Sequence, residues 1–218
     1  MNISEAIAER HSVRRYTEQP IEGEILSELQ NEIETCNAES GMRFQLIVNE
    51  PKAFASLLAR YGHFTGVRNY IALVGEKRAD GEEICGYYGE RIVLKAQMLG
   101  LRTCWAALTY AKIPGTFTVN KGEKLYCMIA VGYGENDGTE HRSKPISELC
   151  RIRGSVPDWF YAGMEAAVKA PTAMNQQKFM IGLDHGNVKA TAGRGIHSKM
   201  DLGIVKYHFE QGAQRKID

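Results

Sequence analysis

Residues 10–16 of the chain read Arg-His-Ser-Val-Arg-Arg-Tyr, and they end the helical periodicity of the residues before them. Three guanidinium groups and the Ser12 hydroxyl in this short segment could hold a phosphate, because the planar donors of arginine match phosphate oxygens. In an extended segment, alternation places Arg10, Ser12 and Arg14 on one side. The alternative is a run of charges that water solvates after a helix.

On both sides of this segment, the spacing of apolar residues predicts helices and strands. A short helix capped at Ser4 and ending near Glu9 is predicted first, and further helices are predicted over 22–35, 53–61, 83–99, 157–169 and 201–212. Strands are predicted over 44–48, 70–74, 102–107, 125–131 and 179–183. Gly100 is predicted to end its helix in a left-handed conformation, and residues 132–144 are predicted to form an exposed connection. Because helices and strands do not alternate strictly, we expect an α+β fold.

Two more polar segments are candidate binding loops. Residues 170–179 lie between a predicted helix and a predicted strand, where ligand-binding loops are common. Their asparagine and glutamine amides offer both donors and acceptors, as the carbonyl and N–H edge of a flavin pyrimidine ring requires. His141, Arg142 and Lys144 form a small basic group after the exposed connection. Taken alone, each segment is equally consistent with a solvated loop.

Composition and charge restrict the class of protein. The formal net charge is +1, with 27 Lys and Arg against 26 Asp and Glu, so we expect no nucleic-acid partner. Five cysteines are scattered without a CxxC pair or metal-ligand spacing, which predicts no metal site and favours a reducing compartment. The sequence contains neither a signal-peptide core nor an apolar stretch long enough to cross a membrane. We therefore expect a cytoplasmic protein without a membrane partner.

Taken together, these segments resemble the nitroreductase family. Residues 10–16 are similar to its Arg-x-Ser-x-Arg signature, and residues 170–177 to its Pro-Ser-Ser-x-Asn-x-Gln flavin loop. Residues 100–105 resemble its Gly-Leu-Gly-Thr-Cys-Trp stretch, and residues 125–149 its closing strand and basic tail. The resemblance implies a nitroreductase-like fold, with an antiparallel or mixed sheet flanked by helices. It also implies an FMN-dependent oxidoreductase that takes electrons from NADH or NADPH and reduces a small acceptor such as a nitro compound or quinone.

One departure from the family pattern concerns the position of the flavin loop. In ordinary members the loop follows the arginine signature within a few tens of residues, whereas here residues 35–44 lack it and it occurs near residue 171. Lys178 also stands where the family pattern has proline. Residues 35–48 can be laid over residues 170–183, although any two helix–strand units align this loosely.

This departure resembles a single-chain branch of the family. A half at 1–153 would carry the phosphate site, and a shortened, pseudo-symmetric half at 154–218 would supply the flavin-ring loop. The chain would then be a monomer with one flavin rather than a homodimer with two.

The resemblance also assigns site residues. The residues implied to hold the FMN phosphate and ribityl chain are Arg10, Ser12, Arg14, Arg142 and Lys144, assisted by His11. The loop that begins at Pro171 would bind the ring edge through Thr172, Asn175 and Gln177. Backbone N–H groups of Ala106 and Ala107 would approach the flavin N5, while the Trp105 side chain is expected in the core. No protein side chain is expected to be catalytic, because the flavin carries the hydride chemistry.

Two other functions stay open at this stage. The protein could bind flavin without catalysis, or it could use flavin for another reaction, such as reductive dehalogenation or oxygen-dependent flavin fragmentation. A Rossmann dehydrogenase is disfavoured because no Gly-x-Gly-x-x-Gly follows a strand, and residues 192–195 are more typical of a turn.

Overall fold

The computed structural model describes residues 1–57, 61–140 and 142–217. Its helices are α1 (Ile3–Glu9), α2 (Gly23–Ser40), α3 (Gly81–Met98), α4 (Ile146–Leu149), α5 (Asp158–Ala167) and α6 (Ser198–Ala213). Its strands are β1 (Arg43–Ile47), β2 (Asn69–Glu76), β3 (Arg102–Ala106), β4 (Glu123–Gly132), β5 (Cys150–Arg153), β6 (Phe179–Asp184) and β7 (Asn187–Ala192). The α+β class expected from the sequence is confirmed.

The chain forms two compact units that each combine separate segments. The first unit contains Met1, Arg10–Gly81 and Ile92–Glu140, and the second contains Asn2–Glu9, Glu82–Arg91 and His141–Asp218. Helix α3 therefore contributes residues to both units. The division at 153 that the sequence suggests stays a prediction.

The first unit is built on an antiparallel sheet in the order β1-β2-β4-β3. Strand β2 is buried from Asn69 to Gly75, because its apolar side chains cover both faces of a central strand. The rings of Phe54 and Phe64 pack edge to face at 4.9 Å between centroids. Strand β3 lies at the edge of this sheet, and the segment that contains Ser12 pairs with it at Thr103.

The second unit has a mixed sheet in the order β5-β6-β7, with β5 parallel and β7 antiparallel to β6. Alternate residues Ile181 and Leu183 are buried on one face of β6, which packs with α6. Helix α6 also packs against α5, where the rings of Phe160 and Phe209 lie 5.7 Å apart. The short helix α1 packs against both of these helices. The expected antiparallel or mixed sheet flanked by helices is confirmed.

Several boundaries differ from the predictions. Helix α2 extends to Ser40 rather than residue 35. Helix α1 is capped by Asn2, not by Ser4: the Asn2 side chain accepts a hydrogen bond from the Glu5 N–H, and Glu5 accepts one from the Asn2 N–H. Gly100 has a φ of 81°, as predicted for the end of its helix. Strands β5 and β7 and helix α4 were not predicted, because their short segments carry weak periodicity.

Part of the helix predicted over 53–61 falls on Leu58, Ala59 and Arg60, which lie outside the described residues. The apolar spacing of this segment predicts that Phe54 and Leu57 both point inward. Phe54 is buried, whereas Leu57 is 81% exposed. Among the helices that the structure describes, none combines the length and apolarity needed to cross a membrane.

Candidate functional site

The basic segment, residues 10–16, is an extended strip held by backbone hydrogen bonds in the first unit. The Val13 N–H donates to the Thr103 carbonyl of β3 at 3.0 Å. The Tyr16 N–H donates to the Thr65 carbonyl at 3.0 Å, and the Tyr16 hydroxyl donates to the Val13 carbonyl at 2.7 Å. Burial raises the pKa of this hydroxyl well above its usual value, so it stays protonated as a donor. The segment is therefore fixed at its middle and at its C-terminal end.

The predicted phosphate ligands of this segment converge on one buried thiol. Ser12 forms a hydrogen bond with Cys104, and the positive charges of Arg14 and Arg10 act on the same thiol. The pKa of Cys104 is raised, because burial outweighs the opposing effects of these three groups. Arg10 is itself buried at 4% exposure, whereas Arg14 is exposed. The alternation predicted for these residues thus brings a buried cation, a hydroxyl and an exposed cation to one place.

A cavity of about 400 Å³ opens beside Arg14 in the first unit. Its other walls are residues 61–64, Trp105 and Thr109. Three aromatic side chains and one imidazole line it, so its surface suits a flat molecule. Trp105 was expected in the core; it is half-buried and forms a wall of this cavity instead.

The other predicted residues of the first unit lie along or beside β3. Ala106 is the last residue of the strand, and its carbonyl accepts a hydrogen bond from the Cys127 thiol at 3.2 Å. Ala107 begins the bend that follows. His11 lies next to Gly138, where an added Cβ would come within 2.8 Å of the His11 Cβ. Sequence reasoning placed these residues near a ligand, and that role stays a prediction.

In the second unit, the amide loop (residues 171–177) binds the segment that contains Arg142 and Lys144. The Asn175 and Gln177 side-chain amides donate to the Arg142 carbonyl at 3.0 and 2.8 Å. The Gln177 side-chain oxygen accepts from the Lys144 N–H at 2.7 Å, and the Lys144 ammonium donates to the Gln176 carbonyl at 3.2 Å. The two predicted binding segments lie about 30 residues apart in the sequence, and the structure brings them into contact. Neither segment alone indicates this contact.

The amide loop has an unusual backbone. Met174, Asn175 and Gln177 have φ values of 52°, 52° and 45°. This is a left-handed backbone conformation that residues other than glycine rarely adopt. The Thr172 hydroxyl accepts from the Gln177 N–H at 3.0 Å and so closes the loop. Strained backbone of this kind occurs often at ligand sites, where surrounding contacts hold it.

A buried carboxyl that the sequence did not single out supports the loop from α6. Asp201, at 3% exposure, accepts hydrogen bonds from the Ala173 N–H at 2.9 Å and from the Gln176 amide at 2.8 Å. Burial raises its pKa, although these two hydrogen bonds act in the opposite direction. An acidic residue in the first turn of a helix is common, so its position gave no signal of this role.

The predicted site residues thus fall into two clusters, one in each unit. Arg10, Ser12 and Arg14 meet at Cys104, and Pro171, Thr172, Asn175 and Gln177 meet the Arg142–Lys144 segment. His141, which the sequence grouped with Arg142, lies outside the described residues. The contact between Ser12 and Cys104, and the cavity lining outside Arg14, were not predicted, because pairing between the basic segment and β3 cannot be read from either segment.

The chain matches one family model, described as "Putative TM nitroreductase", over residues 2–213. No protein of curated function matches it. Among solved structures, one named as a nitroreductase from Thermotoga maritima is 23% identical, with a TM-score of 0.70 over 99% of this chain and 87% of that chain. The fold is therefore nitroreductase-like.

Two further solved structures match a smaller part of the chain. One, named as a nitroreductase in complex with FMN from Desulfovibrio desulfuricans, is 21% identical, with a TM-score of 0.56 over 72% of this chain and 99% of that chain. Another, named as an NADH dehydrogenase/NAD(P)H nitroreductase from Bacteroides thetaiotaomicron, is 18% identical, with a TM-score of 0.53 over 67% of this chain and 95% of that chain.

Proposed function

This chain belongs to the TM nitroreductase family, and from that membership we propose that it is an FMN-dependent oxidoreductase that uses NADH or NADPH to reduce a small acceptor. A nitro compound or a quinone is the acceptor class proposed for assay. The names of two similar structures, one in complex with FMN and one of an NAD(P)H nitroreductase, support the choice of cofactor and reductant.

The observation that carries the proposal is that Ser12 forms a hydrogen bond with Cys104 while the charges of Arg14 and Arg10 act on the same thiol of the first unit. Two guanidinium groups and a hydroxyl are the donor set that a phosphate monoester requires. The backbone that carries these donors is fixed by hydrogen bonds with Thr103 of β3 and with Thr65, which lowers the entropy cost of binding. We therefore assign the FMN phosphate to these three residues, with His11 beside them.

In the second unit, we assign contacts with the flavin to the amide loop and to the Arg142–Lys144 segment. Hydrogen bonds from Asn175 and Gln177 fix this segment, so the exposed Arg142 guanidinium and Lys144 ammonium are held at a defined place. Thr172, Asn175 and Gln177, after Pro171, are proposed to bind the ring edge. Positive groups at that edge would stabilise negative charge on the reduced ring electrostatically.

The bound FMN would accept and release the electrons, and the residues of the chain bind and orient the reactants. Backbone N–H groups of Ala106 and Ala107, where β3 ends, are proposed to face the flavin N5. The cavity beside Arg14 is proposed to admit the flat part of the nicotinamide or of the acceptor, because its walls are mainly aromatic. Its volume of about 400 Å³ is within the range of small-molecule sites.

We further propose the two-half organisation, with residues 1–153 carrying the phosphate site and residues 154–218 the ring loop, in a monomer with one flavin. A cytoplasmic location is also proposed. It is supported by the five cysteines, which are all free thiols, as a reducing compartment maintains them.

The proposal is tested first by the visible spectrum of the purified protein and its FMN content. Arg10→Ala should weaken FMN binding by about 2 kcal/mol or more, because a charged partner of the phosphate is lost. Arg15→Ala is the matched control, since the Arg15 side chain is 67% exposed and lies beside Glu135 instead. Equal FMN affinity of the two variants would contradict the phosphate assignment.

Catalysis is tested separately by NADH and NADPH oxidation with a nitroaromatic or quinone acceptor. Steady oxidation that depends on the acceptor supports the reductase. A yellow protein whose flavin NAD(P)H does not reduce would instead support a non-catalytic flavin-binding module. A reduced flavin that reacts with neither acceptor would favour another flavin reaction, such as dehalogenation or flavin fragmentation.

A further inference from the structure

Strand β5 lies at the edge of the sheet in the second unit. Within the described ranges β6 is its hydrogen-bonded neighbour, and the opposite side of β5 ends the sheet. The backbone N–H and C=O groups on that side of an edge strand point away from the sheet and can pair with another strand. The edge is short, at four residues, so it offers room for a short extended segment.

An apolar cavity of about 290 Å³ lies next to this edge. It is formed by Cys150 and Ile152 of β5, by Phe160, Tyr161 and Met164 of α5, and by residues 146–147 of α4. The Ile152 and Tyr161 side chains are 41% and 55% exposed, so apolar surface continues from the cavity to the outside. Exposed apolar surface that adjoins a sheet edge is typical of sites that bind peptides by strand addition.

The two faces of β5 differ in charge. Cys150 and Ile152 face the cavity, whereas Arg151 and Arg153, at the alternate positions of the strand, are exposed on the other face. Arg153 approaches Asp184 at 3.9 Å, but its side chain is 80% exposed, so this ion pair contributes little. A strand that pairs with β5 would therefore place alternate side chains beside an apolar cavity and beside two guanidinium groups.

Pairing of β5 with β5 of a second copy is disfavoured by these arginines. If two β5 strands paired antiparallel about Ile152, Arg151 of one copy would stand opposite Arg153 of the other. Like charges directly opposite each other destabilise a pair of strands. The charge of the edge instead favours a partner with acidic side chains.

We propose that the β5 edge binds an extended acidic segment of another protein, in which apolar residues alternate with glutamate or aspartate. The backbone of the segment pairs with β5, its apolar side chains enter the cavity, and its carboxylates face Arg151 and Arg153. This site is independent of the proposed flavin chemistry, because it uses none of the residues assigned to FMN.

The test is fluorescence anisotropy of the full-length protein with a labelled peptide of alternating glutamate and valine. Arg151→Glu combined with Arg153→Glu should weaken binding roughly tenfold or more, which corresponds to about 1.4 kcal/mol. Lys189→Glu, an exposed charge reversal on β7, is the matched control and should bind like the original protein. A peptide with N-methyl groups on its pairing backbone nitrogens should not bind, because it cannot donate to the edge.

A second pair of variants tests the cavity. Ser147→Trp places a large side chain at the cavity from an exposed position, and we expect it to abolish binding. Glu148→Trp, an exposed neighbour on α4 that does not line the cavity, should have no effect. Circular dichroism of both variants should match that of the original protein.

Four results would overturn the proposal. The glutamate–valine peptide does not bind, or a lysine–valine peptide binds equally well. The N-methylated peptide binds as tightly, which would mean that the cavity takes apolar groups without strand addition. Sedimentation velocity shows self-association that Ser147→Trp removes, which would make a second copy the occupant.

Discussion

At the level of single residues, Asp201 shows how a buried carboxyl can hold a loop and still reduce stability near neutral pH. Its two hydrogen bonds fix Ala173 and Gln176, but burial disfavours its charge and raises its pKa. A carboxyl with a higher pKa in the folded state binds its proton more tightly when folded. Its contribution to the free energy of unfolding is therefore full below the unfolded pKa of about 3.9 and is lost as the pH rises through the folded pKa.

Because folding raises the pKa of Asp201, we predict that Asp201→Asn changes how the free energy of unfolding depends on pH. The variant keeps an acceptor for the Ala173 N–H but cannot ionise, so it should lack the fall in the free energy of unfolding that begins above about pH 4 in the original protein. Urea unfolding at several pH values measures this difference. Asp184→Asn, the same exchange at an exposed position, is the control variant. Parallel pH profiles for Asp201→Asn and the original protein would contradict the prediction.

The cysteines provide a second prediction at this scale. Cys36, Cys85, Cys104 and Cys127 are buried, and Cys150 is partly exposed. A thiol-specific reagent should therefore modify Cys150 first, with the other four reacting only when the protein unfolds. Mass spectrometry of the labelled peptides identifies the site. Rapid labelling of Cys104 in the native protein would show that the thiol beside Ser12 is accessible after all.

At the level of helices, α3 and α6 approach each other through glycines. A Cβ added to Gly203 would lie 1.9 Å from the Glu83 carbonyl oxygen, and one added to Gly86 would lie 2.0 Å from the Met200 carbonyl oxygen. Backbone atoms cannot rotate away as the end of a side chain can. The close approach of the two helices therefore requires glycine at both positions.

We predict that Gly203→Ala destabilises the protein by roughly 3 kcal/mol or more, because the helices must separate. Thermal or urea unfolding measures the loss. Gly182→Ala on β6 is the control, since its Cβ would have 3.8 Å to the nearest heavy atom and should change stability by about 0.5 kcal/mol or less. Equal stability of the two variants would mean that the helices do not approach this closely.

The same two helices are joined by a fully buried pair. His208 Nε2 lies 2.8 Å from a Glu90 carboxyl oxygen, and His208 Nδ1 lies 3.2 Å from the Ala166 carbonyl oxygen. Both ring nitrogens thus face acceptors, so one proton must be held between imidazole and carboxyl.

Removing one member of this pair should be far more harmful than removing both. We predict that His208→Leu costs about 3–5 kcal/mol, because the buried Glu90 carboxyl loses its contact with the imidazole. Glu90→Leu combined with His208→Leu should recover most of that loss. Urea unfolding of the single and double variants tests the coupling, and additive losses would contradict it.

Elements with long apolar periodicity were predictable, and those defined by tertiary contacts were not. The spacing of apolar residues gave α3 and β4 within two residues at each end, because burial alone determines those patterns. Strand β5 could not be predicted, since four residues with two exposed arginines form a strand only by pairing with β6. Likewise Ser12 and Arg14 were identified from their chemistry. The contact of Ser12 with Cys104 could not be predicted, because it depends on pairing between the basic segment and β3.

For the molecule as a whole, the proposed organisation predicts a single flavin and a single chain. Analytical ultracentrifugation should give a mass near 24.3 kDa, and flavin released by heat should be quantified against protein. One FMN per monomer is the expected result, because the amide loop and the arginine signature occur once each in the sequence. A tight dimer that carries two flavins would contradict the two-half proposal.

The packing of α1 against α5 and α6 has a consequence for the synthesis of the protein. Helix α1 leaves the ribosome before α6, because it precedes α6 in the chain. Ala6 and Ile7, which are buried in the folded protein, therefore cannot pack against α6 until α6 has been synthesised. A nascent or truncated chain that lacks α6 leaves the apolar face of α1 without this partner, and exposed apolar surface of that kind makes a folding intermediate prone to aggregate.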